Sequence, residues 1–388
     1  MMPGFAPAGL PVREYLLVGL TAAAVTFLVT GVIRLLAIRI GAVAHPRQRD
    51  VHVKPMPRMG GVAIFIGVVA GMLLAWRLPV LSRAFDYSYE ILGVAVAGGV
   101  IVLIGMLDDR FELDSITKLA GQIMTAGILV LFGVQWFFFW VPWGEQGDSV
   151  GSLLVLSGNQ GAVLTVLLAV TMINAMNFVD GLDGLAAGIG FIAASAICVF
   201  SLGLLSDVGG DVGAYPPALI AATLAGGCLG FLPYNFQPAR LFMGDSGSML
   251  IGLMLAAAST TASGDIDYSR YSASDAIALL SPLLVVAAVL FVPLLDLIMA
   301  IIRRTRRGQS PFSADKMHLH HRLLEIGHSQ RRAVMLIYLW AALLAFGAVA
   351  VTIFDPSVVV WGVLGGLLLA VIVSAVPRLR QLANRRRP

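Results

Sequence analysis

Apolar stretches of bilayer length recur along almost the whole chain, and they constrain its fold more than any motif does. They lie near residues 15–38, 60–76, 91–107, 117–133, 161–177, 185–205, 216–232, 248–263, 276–302, 333–353 and 357–376. A helix needs roughly 17–25 mostly apolar residues to cross a hydrocarbon core of about 30 Å. Inside lipid only helices and closed barrels satisfy their own backbone. The pattern therefore predicts an all-α polytopic integral membrane protein with about eleven transmembrane helices, forming a single unit over residues 1–388. With 58% apolar and 12% charged residues, the chain falls outside the soluble classes. The ninth stretch is long and carries Pro282, Pro293 and Asp296, so a kinked or broken helix is expected there. The aromatic and then turn-rich segment between the fourth and fifth stretches suits an interfacial belt with a small β-hairpin outside the membrane.

Eleven crossings put the termini on opposite sides. With the N-terminus outside and the C-terminus cytoplasmic, every Lys and Arg except Arg13, Arg77, Arg83 and Arg270 falls in or beside an inside segment. The net charge of +4 is then a topology signal, and nucleic acid is not an expected partner. The basic tail, residues 377–388, suits contact with anionic lipid. Cys198 and Cys228 both lie in apolar runs, which excludes a disulfide framework.

Under this topology three acidic or amide-rich loops share the inside face: "GMLDDRFELDS", "NFVDGLDG" and "NFQPARLFMGDSGS". A carboxylate at mid-membrane costs about 2.5–3.5 kcal/mol on insertion scales, so these acids belong at helix ends facing a polar cavity. Helix capping alone would account for Asp180 and Asp183, and a solvated helix end for Asp108 and Asp109. Convergence of three such loops instead suits a hard cation such as Mg²⁺, which binds few protein oxygens and leaves room for phosphate. The longest hydrophilic segment, 303–332, places Arg303, Arg304, Arg306 and Arg307 before His318, His320 and His321. That set could clamp a diphosphate. The arginines could equally be a topology signal, and the histidines a zinc site, although no loop carries a cysteine. Lys54 and Arg58 in the first inside loop read the same two ways.

Taken in order, "HVKPMPRMGG", "LDDRFELDSITKLAGQ", "NAMNFVDGLDGLAAG", "FLPYNFQPARLFMGDSGSMLIG" and "DKMHLHHRLLEIGHS" resemble the polyprenyl-phosphate N-acetylhexosamine-1-phosphate transferases, over about residues 45–330. The resemblance implies transfer of a sugar 1-phosphate from a UDP-sugar to a membrane polyprenyl phosphate, with release of UMP. It also implies Mg²⁺, with Mn²⁺ as a substitute, and a multi-pass enzyme of the bacterial plasma membrane whose site faces the cytoplasm. By the same resemblance Asp245 and Asn177 would hold the metal, and Asp108 would act on the acceptor phosphate with Asp109 and Lys118 nearby. Asp180, Asp183 and Phe242 would serve the uridine, while Lys54, Arg58, the four arginines and the three histidines would contact diphosphate or sugar. A homodimer is compatible with this family. "HLHH" and "PRMGG" depart from the phospho-MurNAc-pentapeptide branch and resemble the GlcNAc-1-phosphate branch, which makes UDP-GlcNAc the expected donor and the pentapeptide substrate the alternative. A transporter of anionic solutes is the alternative from another class. It would gather polar groups near mid-membrane within inverted repeats, and no repeat is visible.

Overall fold

The computed structural model describes residues 10–44, 55–146, 149–264, 287–288, 291, 302, 305–306, 308 and 328–385, with side chains omitted at 139–153 and 375–385. The long helices are α1 (Val12–Arg39), α2 (Gly60–Ala75), α4 (Glu90–Phe111), α5 (Ser115–Leu131), α6 (Gly158–Val179), α7 (Leu185–Asp207), α8 (Pro216–Asn235) and α9 (Gly244–Gly264). Two more, α10 (Gln330–Ile353) and α11 (Pro356–Arg385), follow, and a short α3 (Ser82–Tyr87) lies between α2 and α4. Ten of the eleven expected stretches are thus helices. Eight described helices are long and apolar enough to cross a membrane, and α2 and α5 are shorter apolar helices of 16 and 17 residues. The ninth stretch, with Pro282, Pro293 and Asp296, lies outside the described residues apart from a few isolated positions.

The expected hairpin is present as β3 (Phe138–Gln146) paired antiparallel with β4 (Ser149–Val155), with an irregularity between Val141 and Glu145. A second pair, β1 (Val43–Ala44) with β2 (Met56–Pro57), was not anticipated and joins the end of α1 to the start of α2. Two-residue strands carry no periodicity of their own; tertiary hydrogen bonds make them.

Two ends of the bundle are distinct. At the hairpin end, Glu14 at the start of α1 accepts from the Val80 and Leu81 backbone at 3.2 and 2.9 Å, and the Tyr15 hydroxyl donates to the Tyr215 carbonyl at 3.2 Å. The opposite end gathers the loops after α4, α6 and α8 with the first turns of α2, α5, α9 and α10. Its lateral links run from Gly61 N to Met243 O at 3.2 Å and from Arg331 Nε to Gln237 O at 3.0 Å.

Helix α9 is the hub. Nearly all its residues are buried, and it packs against α2, α4, α6, α7 and α8. Small side chains make this possible: α8 and α9 are rich in Gly, Ala, Ser and Thr, which let helix backbones approach closely. The contact of α1 with α8 is tightest at Gly226, where a Cβ would lie 2.0 Å from the Gly19 carbonyl oxygen. Gly226→Val should therefore force the two helices apart at a cost of about 1–3 kcal/mol. Thermal unfolding of the detergent-solubilised chain, monitored by circular dichroism, should show the lowered midpoint.

Candidate active site

The loop end owes its geometry to how each acid reaches its helix terminus. Asp108 and Asp109 close α4, and successive helix positions are turned about 100° from each other, so the two carboxylates face different neighbours. Asp108 Oδ2 accepts from Lys118 Nζ at 3.0 Å, and its Oδ1 from Leu113 N at 2.8 Å. Asp109 instead faces the first turn of α9, where it accepts from Asp245 N at 2.9 Å and from Ser246 Oγ at 2.8 Å. Both aspartates are 5% exposed.

Lys118 is placed by the cap of its own helix. Asp114 is the N-cap of α5 and accepts from Ile116 N and Thr117 N, each at 3.0 Å. These bonds, the one from the Thr117 hydroxyl first, hold the Asp114 carboxyl below its ordinary range. One turn later the Lys118 ammonium lies between Asp108 and Asp245, 2.9 Å from Asp245 Oδ2. Asp245 opens α9, where the positive end of the helix dipole favours an anion. Asn177, near the end of α6, interacts with Asp245 and donates from Nδ2 to Ser248 Oγ at 3.0 Å.

The other loops form the rim. Asp183 is buried and accepts from Ala239 N at 3.0 Å, so it ties the α6–α7 loop to the α8–α9 loop. Asn235 does the same with both ends of its amide, accepting from Gly184 N and donating to Leu241 O, each at 3.1 Å. The Tyr338 hydroxyl of α10 donates to the Gly184 carbonyl. Phe242 keeps its ring partly exposed while its backbone is held by Pro57 O at 2.9 Å and Gly60 N at 3.1 Å. Asp180 follows α6 directly. Burial first, then the negative charges of Asp245 and Asp109, push its carboxyl up to about 8, against the opposing pull of Arg58.

Among the described residues no three His, Cys, Asp or Glu side chains form a complete metal cage. The donor set nevertheless fits a hard cation: Asp245 and Asp108 offer carboxylate oxygens, Asn177 an amide oxygen, and neither a thiol nor an imidazole intrudes among the described neighbours. Mg²⁺ binds through one or two carboxylates and completes its shell with water and phosphate, so a full protein cage is not required.

The structure brings together Asp108, Asp109, Lys118, Asn177, Asp180, Asp183, Phe242, Asp245 and Arg58 at one end of the bundle. Arg306 is exposed and makes no described link to this group. Lys54, Arg303, Arg304, Arg307, His318, His320 and His321 lie outside the described residues. Sequence reasoning passed over Ser246, Ser248, Asn235 and Tyr338, since polar residues at helix ends look like ordinary caps until their distant partners are seen.

The model for the family described as "Glycosyl transferase family 4" matches residues 91–263. The decaprenyl-phosphate N-acetylglucosaminephosphotransferase of Mycolicibacterium smegmatis is 59% identical over 376 residues, covering 96% of this chain and 91% of that protein. The chain belongs to glycosyl transferase family 4. More distant members include the probable undecaprenyl-phosphate N-acetylglucosaminyl 1-phosphate transferase of Bacillus subtilis, 35% identical over 86% of this chain and 83% of its own length. The undecaprenyl-phosphate alpha-N-acetylglucosaminyl 1-phosphate transferase of Escherichia coli is 31% identical over 80% of this chain and 77% of its own. The family segment runs from α4 through α9, so it contains the Asp108–Lys118–Asp245 group and both loops tied by Asn235.

Asn235→Ala should leave Gly184 N and the Leu241 carbonyl without their partner, at a cost of about 1–3 kcal/mol for the buried groups. Hydrogen exchange should rise in both loops, around residues 180–185 and 239–243, and a lowered thermal midpoint should accompany it.

Proposed function

We propose that this chain transfers N-acetylglucosamine 1-phosphate from UDP-GlcNAc to a membrane polyprenyl phosphate, giving polyprenyl-diphospho-GlcNAc and UMP. The observation that carries this reading is the Lys118 ammonium held between Asp108 and Asp245, at the end of a bundle of membrane-length helices. Relatives whose names specify N-acetylglucosamine phosphate transfer onto polyprenyl phosphates supply the substrate class.

In the reaction an oxygen of the lipid phosphate attacks the sugar-bearing phosphorus of the donor, and the bond to UMP breaks. Phosphoryl transfer of this kind depends mostly on positioning and charge neutralisation. Asp245 and Asn177 would hold Mg²⁺, which neutralises the donor diphosphate when bound. Lys118 adds a fixed positive charge beside them. Asp108, which shares that ammonium, is placed to orient the acceptor phosphate or take its proton. The partly exposed Phe242 would stack on the base, and Arg58 and Asp180, close enough for their charges to interact, would bind the donor. Lys54, Arg303, Arg304, Arg306, Arg307, His318, His320 and His321 are assigned to diphosphate and sugar. Because the acceptor stays in the bilayer while the donor is soluble, the reaction belongs at a membrane face. The Lys/Arg distribution supports the cytoplasmic face for that site, in line with a multi-pass enzyme of the bacterial plasma membrane.

The decisive assay offers UDP-GlcNAc and UDP-MurNAc-pentapeptide in parallel with polyprenyl phosphate, following UMP with and without EDTA. Release from UDP-GlcNAc alone, abolished by chelation, is the expected result; release from the pentapeptide donor alone would move the chain to the other branch. Asp245→Ala and Asn177→Ala should each lower turnover by at least about a hundredfold.

Asp180 adds a pH dependence. Burial and the negative charges of Asp245 and Asp109 raise its carboxyl to about 8, and a divalent cation held nearby by Asp245 and Asn177 would favour loss of that proton. Cation affinity should therefore rise as pH increases towards that value and level off above it. Mn²⁺ titration followed by electron paramagnetic resonance should show the rise, and Asp180→Asn should flatten it.

A further inference from the structure

We propose that Asp109 is a positioning residue whose buried carboxylate caps the first turn of α9 from across the α4–α9 contact and thereby sets where Asp245 stands. The first four N–H groups of any helix lack partners within it, and a short polar side chain just before the helix normally supplies one. The chain entering α9 reads Leu241-Phe242-Met243 and provides none. Asp109 supplies the acceptors instead: Oδ1 takes Asp245 N at 2.9 Å, and Oδ2 takes Ser246 N at 3.3 Å and Ser246 Oγ at 2.8 Å.

Two glycines show that the fit depends on close approach. At Gly244, whose φ is +70°, a Cβ would lie 2.4 Å from both Asp109 carboxylate oxygens. Gly105 lies one turn before Asp109 on α4, and a Cβ there would lie 2.3 Å from Ser246 Cα. Both sides of the contact are therefore cleared so that the carboxylate can reach the helix end. With three donors on its oxygens and 5% exposure, Asp109 is committed to α9 and turned away from Lys118. Its neighbour Asp108 keeps the contact with Lys118. The adjacent acids thus divide the work: one meets the reacting groups, and the other fixes the helix that carries Asp245.

The functional part of this inference rests on the proposed role of Asp245; the capping part does not. The test compares Asp109→Asn, Asp109→Ala and Ser246→Ala in the full-length chain, measuring amide exchange over residues 241–249, kcat and KM for UMP release, and the thermal midpoint. Asparagine keeps an acceptor for Asp245 N, so Asp109→Asn should hold kcat within about tenfold of the parent, whereas Asp109→Ala should lose about a hundredfold. Exchange over the first turn of α9 should follow the same order, and KM for the donor should change little. Asp109→Asn as inactive as Asp109→Ala, with exchange and midpoint at parental values, would overturn the proposal in favour of a chemical role. Where neither Asp109 variant folds, Ser246→Ala decides: faster exchange at α9 supports the cap, and parental exchange with parental turnover overturns it. If the parent chain transfers no sugar phosphate at all, the exchange measurement still decides the cap on its own.

Discussion

Carboxylates at the ends of membrane-length helices persist only where donors or cations meet them, and at this site one ammonium meets two. Lys118 lies within 3.0 Å of Asp108 and Asp245, so α4, α5 and α9 converge on a single charge. In a setting of low effective dielectric such a bridge is strong if complete and destabilising if one partner is removed. The arrangement also leaves a net negative charge, since two carboxylates share one cation. An acidic site that must accept phosphates needs further positive charge, and this demand is the physical reason the proposed reaction calls for a divalent cation.

The rest of the architecture holds that convergence in register. Small residues along α8 and α9 allow close helix contact, and α9, the most buried of the described membrane-length helices, carries Asp245 at its end. The loops beyond α6 and α8 are tied by Asp183 and Asn235, and α10 bears on them through Gln330, Arg331 and Tyr338. Ties of this kind hold the site's groups in place, which is what catalysis by positioning requires.

Much of this was legible in the sequence because lipid imposes a simple rule. Bilayer-length apolar runs gave helices at ten of the expected places, and the acids fell at their ends as the insertion cost requires. The motifs also named most of the residues that meet at the site. What remained hidden were orientations. "DDR" does not say that Asp108 faces a lysine while Asp109 faces a helix terminus, and "DGLDG" does not separate a strut, Asp183, from an acid beside the charges of Asp245 and Asp109, Asp180. Asn235 and Tyr338 lie 51 and 154 residues from Gly184, which both of them bind. No local pattern encodes such pairings, and β1–β2 and α3 were missed for the same reason.

The amide of Asn235 illustrates one more property of the frame. It accepts from Gly184 and donates to Leu241 without carrying charge, in a protein region otherwise dominated by acids and bases. A neutral clasp neither titrates in the physiological range nor weakens when counter-ions arrive. Cations, phosphates and protons can therefore come and go through a turnover without loosening this one tie between the loops. Beside the ionisable strut Asp183, the frame thus keeps a second link that is indifferent to the electrical state of the site it supports.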